Sequence, residues 1–171
     1  ATSVKQSTVI RTEAVSALSS WQDPTKRDRV TGFWQPIAAR DPSTVRDVVQ
    51  RSASKLLATS PPDLLADVMK LLTALDVKTD DQAFAAWVAD SKRSPDVRIA
   101  ALRLLEKRKY GGLSEIIDTL LVTDSAELRA EARDLLASRD ETRATSIFSK
   151  LLDDQNSEVT EKQRAIASLA R

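Results

Sequence analysis

The sequence predicts an all-α chain built as a solenoid of about five helix pairs, and three observations carry that prediction. Apolar residues recur at helical spacing through almost the whole chain. Only 3 of the 171 residues are glycine, against an average usage of about 7%. Leucines and one valine also form two interleaved ladders: Leu57, Val88, Leu121 and Leu152 in one set of helices, and Leu72, Leu105, Leu136 and Leu169 in the other. Their steps of 31 to 33 residues match helix pairs too short to bury their faces alone.

The clearest helix begins at Ser94. Ser94 can accept a hydrogen bond from a first-turn N–H, Pro95 suits the first helical position, and Asp96 complements the positive end of the helix dipole. Val97, Ala101, Leu104 and Leu105 then share one face, with Ala101 small enough for a close helix approach.

The chain in order supplies the rest. Ile10, Ala14, Ala17, Leu18 and Trp21 predict a first helix over 5–20, and Val30, Phe33, Trp34, Ile37 and Ala38 a second over 25–39, weakened or kinked by Gly32 and Pro36. Asp41-Pro42 opens a third, with Val45, Val48, Val49, Ala53, Leu56 and Leu57 facing inward. Its opening resembles a second-type helix, but ladder spacing makes it a first-type one. Pro62-Asp63 starts a copy of the Pro95-Asp96 helix, and Thr79 with Gln82 reads as a capping box for a short helix bearing Phe84, Trp87 and Val88. Gly111-Gly112 should end the helix begun at Pro95. Asp124, Asp140 and Asn156 should open the last three helices. The units so paired are 5–39, 43–75, 80–108, 113–138 and 141–170, within a single domain over 1–171.

The stretches Pro-Asp-Val-Arg-x-x-Ala-x-x-Leu-Leu at 95–105 and Ala-Glu-Leu-Arg-x-x-Ala-x-x-Leu-Leu at 126–136 resemble HEAT repeats of the PBS-lyase-like kind. The resemblance covers the chain from about residue 43 onward and implies a right-handed α-α superhelix. It further implies that an arginine at the repeat edge ties neighbouring repeats through acidic partners. Arg98 and Arg129 stand at that position, whereas Leu65 and Lys162 depart from it. The order of repeats is also similar to the helical segment of large secreted planctomycete-type proteins that join a propeller dehydrogenase to a c-type haem domain. That likeness implies a secreted or periplasmic spacer; without it, a cytoplasmic setting is expected.

Composition narrows the chemistry. There is no cysteine and no histidine, so thiolate catalysis, disulfides, a serine triad and the commonest metal ligand are all missing. Acid pairs such as Asp80-Asp81 and Asp153-Asp154 sit at helix ends, where capping accounts for them. No catalytic, cofactor-binding or metal-ligating residue is assigned, and no cofactor is expected. The longest apolar run, Ala83 to Ala89, is far below the roughly 20 residues of a membrane span, so no membrane insertion is expected. A first residue other than Met, and Arg171 closing a helical pattern, suggest a piece of a longer protein.

The expected function is a non-enzymatic, monomeric scaffold that binds a protein or a neighbouring domain. Aligning the second helices puts Asp67, Ala100 and Glu131 in one outward row and Lys70, Arg103 and Asp134 in the next. Lys70, Arg103, Lys107 and Asp134 form the expected docking surface, because mixed signs suit a complementary protein face better than a polyanion. Two enzymatic alternatives come from other solenoids. One is a DNA glycosylase using Trp87 and Asp90, and the other a lyase-like chaperone that attaches a chromophore. A near-neutral net charge of +1 weighs against nucleic acid. Trp21, Trp34 and Trp87 are expected in the core, and Lys107-Arg108-Lys109 on a solvated helix end.

Overall fold

A computed structural model describes residues 6–28, 30–123 and 125–169; for Leu169 it describes the backbone only. Among these residues the regular structure is all α-helix. The helices are α1 (Thr8–Ser19), α2 (Ser43–Thr59), α3 (Pro62–Ala74), α4 (Asp81–Ala89), α5 (Pro95–Lys107), α6 (Leu113–Leu120), α7 (Ala126–Arg139), α8 (Glu141–Asp153) and α9 (Val159–Leu169). The chain divides into two compact units, one up to Phe84 and one from Ala85 onward, so the boundary falls within α4.

In the first unit α1 and α2 both pack on α3. Helix α3 buries Leu64, Val68, Met69, Leu71 and Leu72 completely, the outcome of apolar residues spread over more than one face. Helix α2 contributes Val45, Val49, Ala53 and Leu56. In the second unit α7 lies at the centre, touching α5, α6, α8 and α9. Val97, Ala101, Leu104 and Leu105 of α5 are buried together, as their shared face requires.

The second-type ladder is buried at Leu72, Leu105 and Leu136; the Leu169 side chain lies outside the described residues. The first-type ladder is displaced by one residue. Leu56, Leu120 and Leu151 are buried, while Leu57, Leu121 and Leu152 are only half-buried, and Val88 alone keeps its expected place.

The described residues of 25–39 form no helix. Gly32 takes a left-handed φ of 71°, and Arg27 pairs with Trp34 in an isolated antiparallel bridge. Asp28 organises the turn: its carboxylate accepts from Val30 N–H (2.9 Å) and from Thr31 N–H (2.6 Å). The Thr31 and Val30 bonds hold that carboxyl below the usual range. The expected 5–39 helix pair is therefore a single helix followed by an extended loop. Helix α1 also turns a different face inward, with Arg11 and Val15 buried while Ile10 is 54% exposed. A buried arginine and contact with α3 give α1 the character of a second-type helix, which leaves α2 as a first-type one.

Several caps differ from expectation. Ser94 is the N-cap of α5 in extended conformation, but its side chain makes no capping bond. Asp80 rather than Thr79 accepts from Gln82 N–H at the start of α4. Asp140 caps α8 as expected, accepting from Arg143 N–H at 3.0 Å. Asp124 lies outside the described residues; the cap of α7 is Ser125, whose hydroxyl accepts from Leu128 N–H. Asn156 falls in a turn ahead of α9, where Asp154 accepts from its N–H.

Gly111-Gly112 does not end α5. The left-handed residue there is Lys109 (φ 54°), and Gly112 instead precedes α6. Tyr110 N–H reaches Leu105 O (3.0 Å) and Lys109 N–H reaches Glu106 O (2.8 Å), the paired bonds of a Schellman motif. The same pair recurs 33 residues earlier, from Val77 N–H to Leu72 O and from Asp76 N–H to Thr73 O, with Asp76 at φ 51°. Non-glycine residues in this region carry strain, so Lys109→Gly is expected to stabilise the second unit by about 1 kcal/mol. A rise in the chemical-denaturation midpoint checks it; an unchanged or lower midpoint would show that Lys109 is not strained.

Candidate docking surface

Helix C-termini leave carbonyls without intrahelical partners, and this chain fills them with cations from another helix. Arg98, buried in the first turn of α5, donates from Nε to Val88 O at the end of α4 (2.7 Å). Arg129 does the same for Thr123 O after α6 (2.8 Å), and Lys162 for Leu152 O of α8 (3.3 Å). These three residues are equivalent in the repeat. At the fourth equivalent position, Leu65 is simply buried. The end of α2 is served instead by Arg11 of α1, which donates to Thr59 O (3.2 Å), while Arg46 of α2 donates to Leu75 O after α3 (2.8 Å).

A second set of charges joins the second-type helices side to side. Glu131 of α7 is buried and accepts from Arg103 of α5 through both carboxylate oxygens, at 2.8 Å for the Nη2 bond, and from Arg164 of α9 (2.7 Å). Arg164 also reaches Asp134, which accepts from Ser168 Oγ (2.6 Å). Glu161 of α9, equally buried, takes both Nε and Nη2 of Arg129 (3.0 Å each) and Nη1 of Arg133 (2.6 Å). Arg129 thus meets an acid on the next second-type helix. Arg98 donates to a carbonyl, Val88 O.

Burial alone would push the Glu131 and Glu161 carboxyls up, but the arginine bonds outweigh it and hold both below the usual glutamate value of 4.5. A carboxyl with a lowered folded pKa contributes stability that is fully present above its unfolded value and lost as pH falls through its folded value. The second unit is therefore expected to hold its denaturation midpoint from neutrality down to about pH 4.5 and to lose it below. Glu131→Gln should flatten that acid limb. An acid limb of unchanged steepness would show that the seam carboxylates are not its source.

Of the four residues expected to dock a partner, one lies in the first unit and three in the second. Lys70 belongs to the first unit and pairs with Asp67 on its own helix (2.8 Å). Arg103, expected to face water, keeps 56% of its side chain exposed but is tied to Glu131. Asp134 is held by Arg164 and Ser168, and Lys107 lies exposed one turn beyond Arg103. Of the two rows expected outside, Ala100 and Glu131 are buried. In α7 the sequence pattern hid a polar seam inside what reads as a solvated face.

The aromatic candidates separate. Trp87 is half-buried, with the Arg93 guanidinium 4.0 Å from its ring centre, and Arg93 also pairs with Asp90 (3.3 Å). The Trp87 and Asp90 of the glycosylase alternative are therefore bridged by a cation. Trp21 is half-buried beneath Arg40, 4.7 Å from its ring centre. Trp34 contradicts the expected core position: it is 63% exposed, with Phe33 at 75% and Val30 at 94%. The helical register placed these side chains inward, and loss of the helix turns them out. Gly32 and Pro36 were the signal for it.

Among the described residues no group of three or more acids could hold a metal ion. No described helix is long and apolar enough to cross a membrane. A cleft in the second unit is lined by Arg129, Arg133, Lys150, Asp154, Glu158 and Glu161, three cations against three acids. Comparison with protein-family models, curated proteins and solved structures finds no match.

Proposed function

We propose that the chain is a non-enzymatic helical-repeat scaffold, a HEAT-like right-handed superhelix, that docks a protein partner or a neighbouring domain. The observation that carries this reading is Arg103. Over half of its side chain is exposed, yet Glu131 holds it in place through two bonds, so a cation is presented at low entropic cost. Lys107 adds a second cation one turn along the same helix. Nearby acids and the balanced cleft between Arg129 and Glu161 suit a protein face of mixed charge better than a polyanion. The recurrent C-terminal caps and the seam across alternate helices support the repeat architecture.

Small-angle scattering tests the shape. A radius of gyration near the roughly 15 to 16 Å of a globule of this length would overturn the superhelix. Binding is tested on a partner isolated by cross-linking in the source cells and then purified. Lys107→Glu combined with Arg103→Gln is expected to weaken its affinity about tenfold or more, with helix content monitored by circular dichroism. Unchanged affinity in a folded variant places the docking site elsewhere.

A further inference from the structure

The loop between α1 and α2 is held by its own hydrogen bonds and yet leaves the large apolar side chains of its outer part exposed. Every residue from Val30 to Arg40 is exposed, including Val30, Phe33, Trp34 and Ile37, the last at 43%. Large apolar side chains concentrated over eight residues, rather than scattered singly, call for an occupant. We propose that this loop docks the first unit onto a bilayer surface containing anionic lipid, with Val30, Phe33 and Trp34 entering the interface and Lys26 and Arg27 meeting the headgroups.

Three observations favour a bilayer over a protein pocket. First, the N–H groups of Asp28, Val30, Thr31, Gly32 and Phe33 at the tip all donate within the loop, as an apolar medium favours. Val30 and Thr31 N–H donate to the Asp28 carboxylate, Gly32 N–H donates to Asp28 O (2.9 Å), and Asp28 N–H donates to Phe33 O (2.9 Å). Below the tip, Gln35 N–H reaches Lys26 O (2.8 Å), and at the base Arg40 N–H reaches Gln22 O (3.0 Å). Second, the bridge sets the backbones of Arg27 and Trp34 side by side, both residues exposed, and the Arg27 guanidinium donates to Gly32 O (3.3 Å), which holds a cation close to the apolar tip. That is the arrangement in which an amphipathic ring sits at headgroup depth beside a cation that meets phosphate. Third, of the described charges nearest the tip, the exposed Lys26 and Arg27 are both positive and Asp28 is engaged in the turn, while the exposed acids Asp23 and Asp41 lie at the base of the loop. An acyl interface accepts rings of any contour, whereas a protein pocket needs a matching shape.

The test is co-sedimentation of the full chain with vesicles of phosphatidylcholine mixed with phosphatidylserine, and with vesicles of phosphatidylcholine alone. The expected result is pelleting with the mixed vesicles that weakens as salt rises. Phe33→Ser with Trp34→Ser should reduce binding more than tenfold, and Lys26→Gln about fivefold, in line with the usual contribution of one cation near an anionic surface. Circular dichroism should be unchanged, because these side chains are exposed. Failure of the wild-type chain to pellet with mixed vesicles overturns the proposal, as does equal pelleting of the Phe33→Ser, Trp34→Ser variant. Equal pelleting on phosphatidylcholine alone overturns the role given to the cations. A concentration-dependent rise in mass that the double variant abolishes, without vesicle binding, would make a second copy of the chain the occupant and likewise overturn it.

Discussion

Ala101→Trp is expected to lower the stability of the second unit by about 3 kcal/mol or more, at the upper end of what overpacking a closed core costs. Ala101 has no exposed surface, and Leu102, Leu104 and Leu105 on its helix are equally enclosed. An indole there has no void to enter and must push α5 away from its neighbours. Arg103→Trp, two residues on, should cost only about 1 kcal/mol. Its side chain is mostly exposed, but the variant removes one of the partners of buried Glu131. Urea denaturation of the two variants decides, and equal midpoints would mean that the faces of α5 are assigned wrongly.

Glu161→Gln should be nearly as damaging, at about 3 kcal/mol, although it changes no volume. The carboxylate neutralises two arginines of α7, and one of them, Arg133, has a side chain only 10% exposed. Removing the acid leaves that guanidinium buried without its counter-charge, a loss much larger than the net worth of the intact pair. The asymmetry provides the check. Glu161→Leu combined with Arg133→Leu should recover part of the lost stability, because the buried charge goes with its partner. Hydrogen exchange along α9 should report the single variant as lost protection confined to that helix. A single variant as stable as wild type would show that water, rather than Glu161, satisfies Arg133.

What the sequence reveals about this fold depends on whether a position is decided by burial or by a partner far along the chain. Helices α3 and α5 are legible because proline, acid and a following apolar face agree, and α7 because a first-turn acid and an apolar face do. The face of α1 is not, because its inward stripe includes Arg11, whose place is fixed by the carbonyl of Thr59, 48 residues away. Residues 25–39 mislead in the opposite way: they carry apolar spacing of a helical kind, and Gly32 with Asp28 overrules it by turn chemistry. At the docking surface, Arg103 and Lys107 are visible as charges on a helix. The seam that fixes one of them was not visible, although Arg103 to Glu131 and Arg133 to Glu161 share the same separation of 28 residues.

The alternation of sign along that seam has a consequence for how the repeat can change. Arg103 of α5 faces Glu131 of α7, which faces Arg164 of α9. Since Arg129 and Lys162 are equivalent, Glu131 and Arg164 occupy the same position in their respective helices. Excising α6 with α7 would slide Arg164 into the place of Glu131 and set it against Arg103, while duplicating that pair would set two glutamates together. Like charges at a half-buried seam repel, so shuffled arrays are penalised before any core contact is considered. The helix pairs look interchangeable by their leucines, but the charges of α5, α7 and α9 distinguish them, and neither loss nor duplication of α6 with α7 is expected without compensating substitutions.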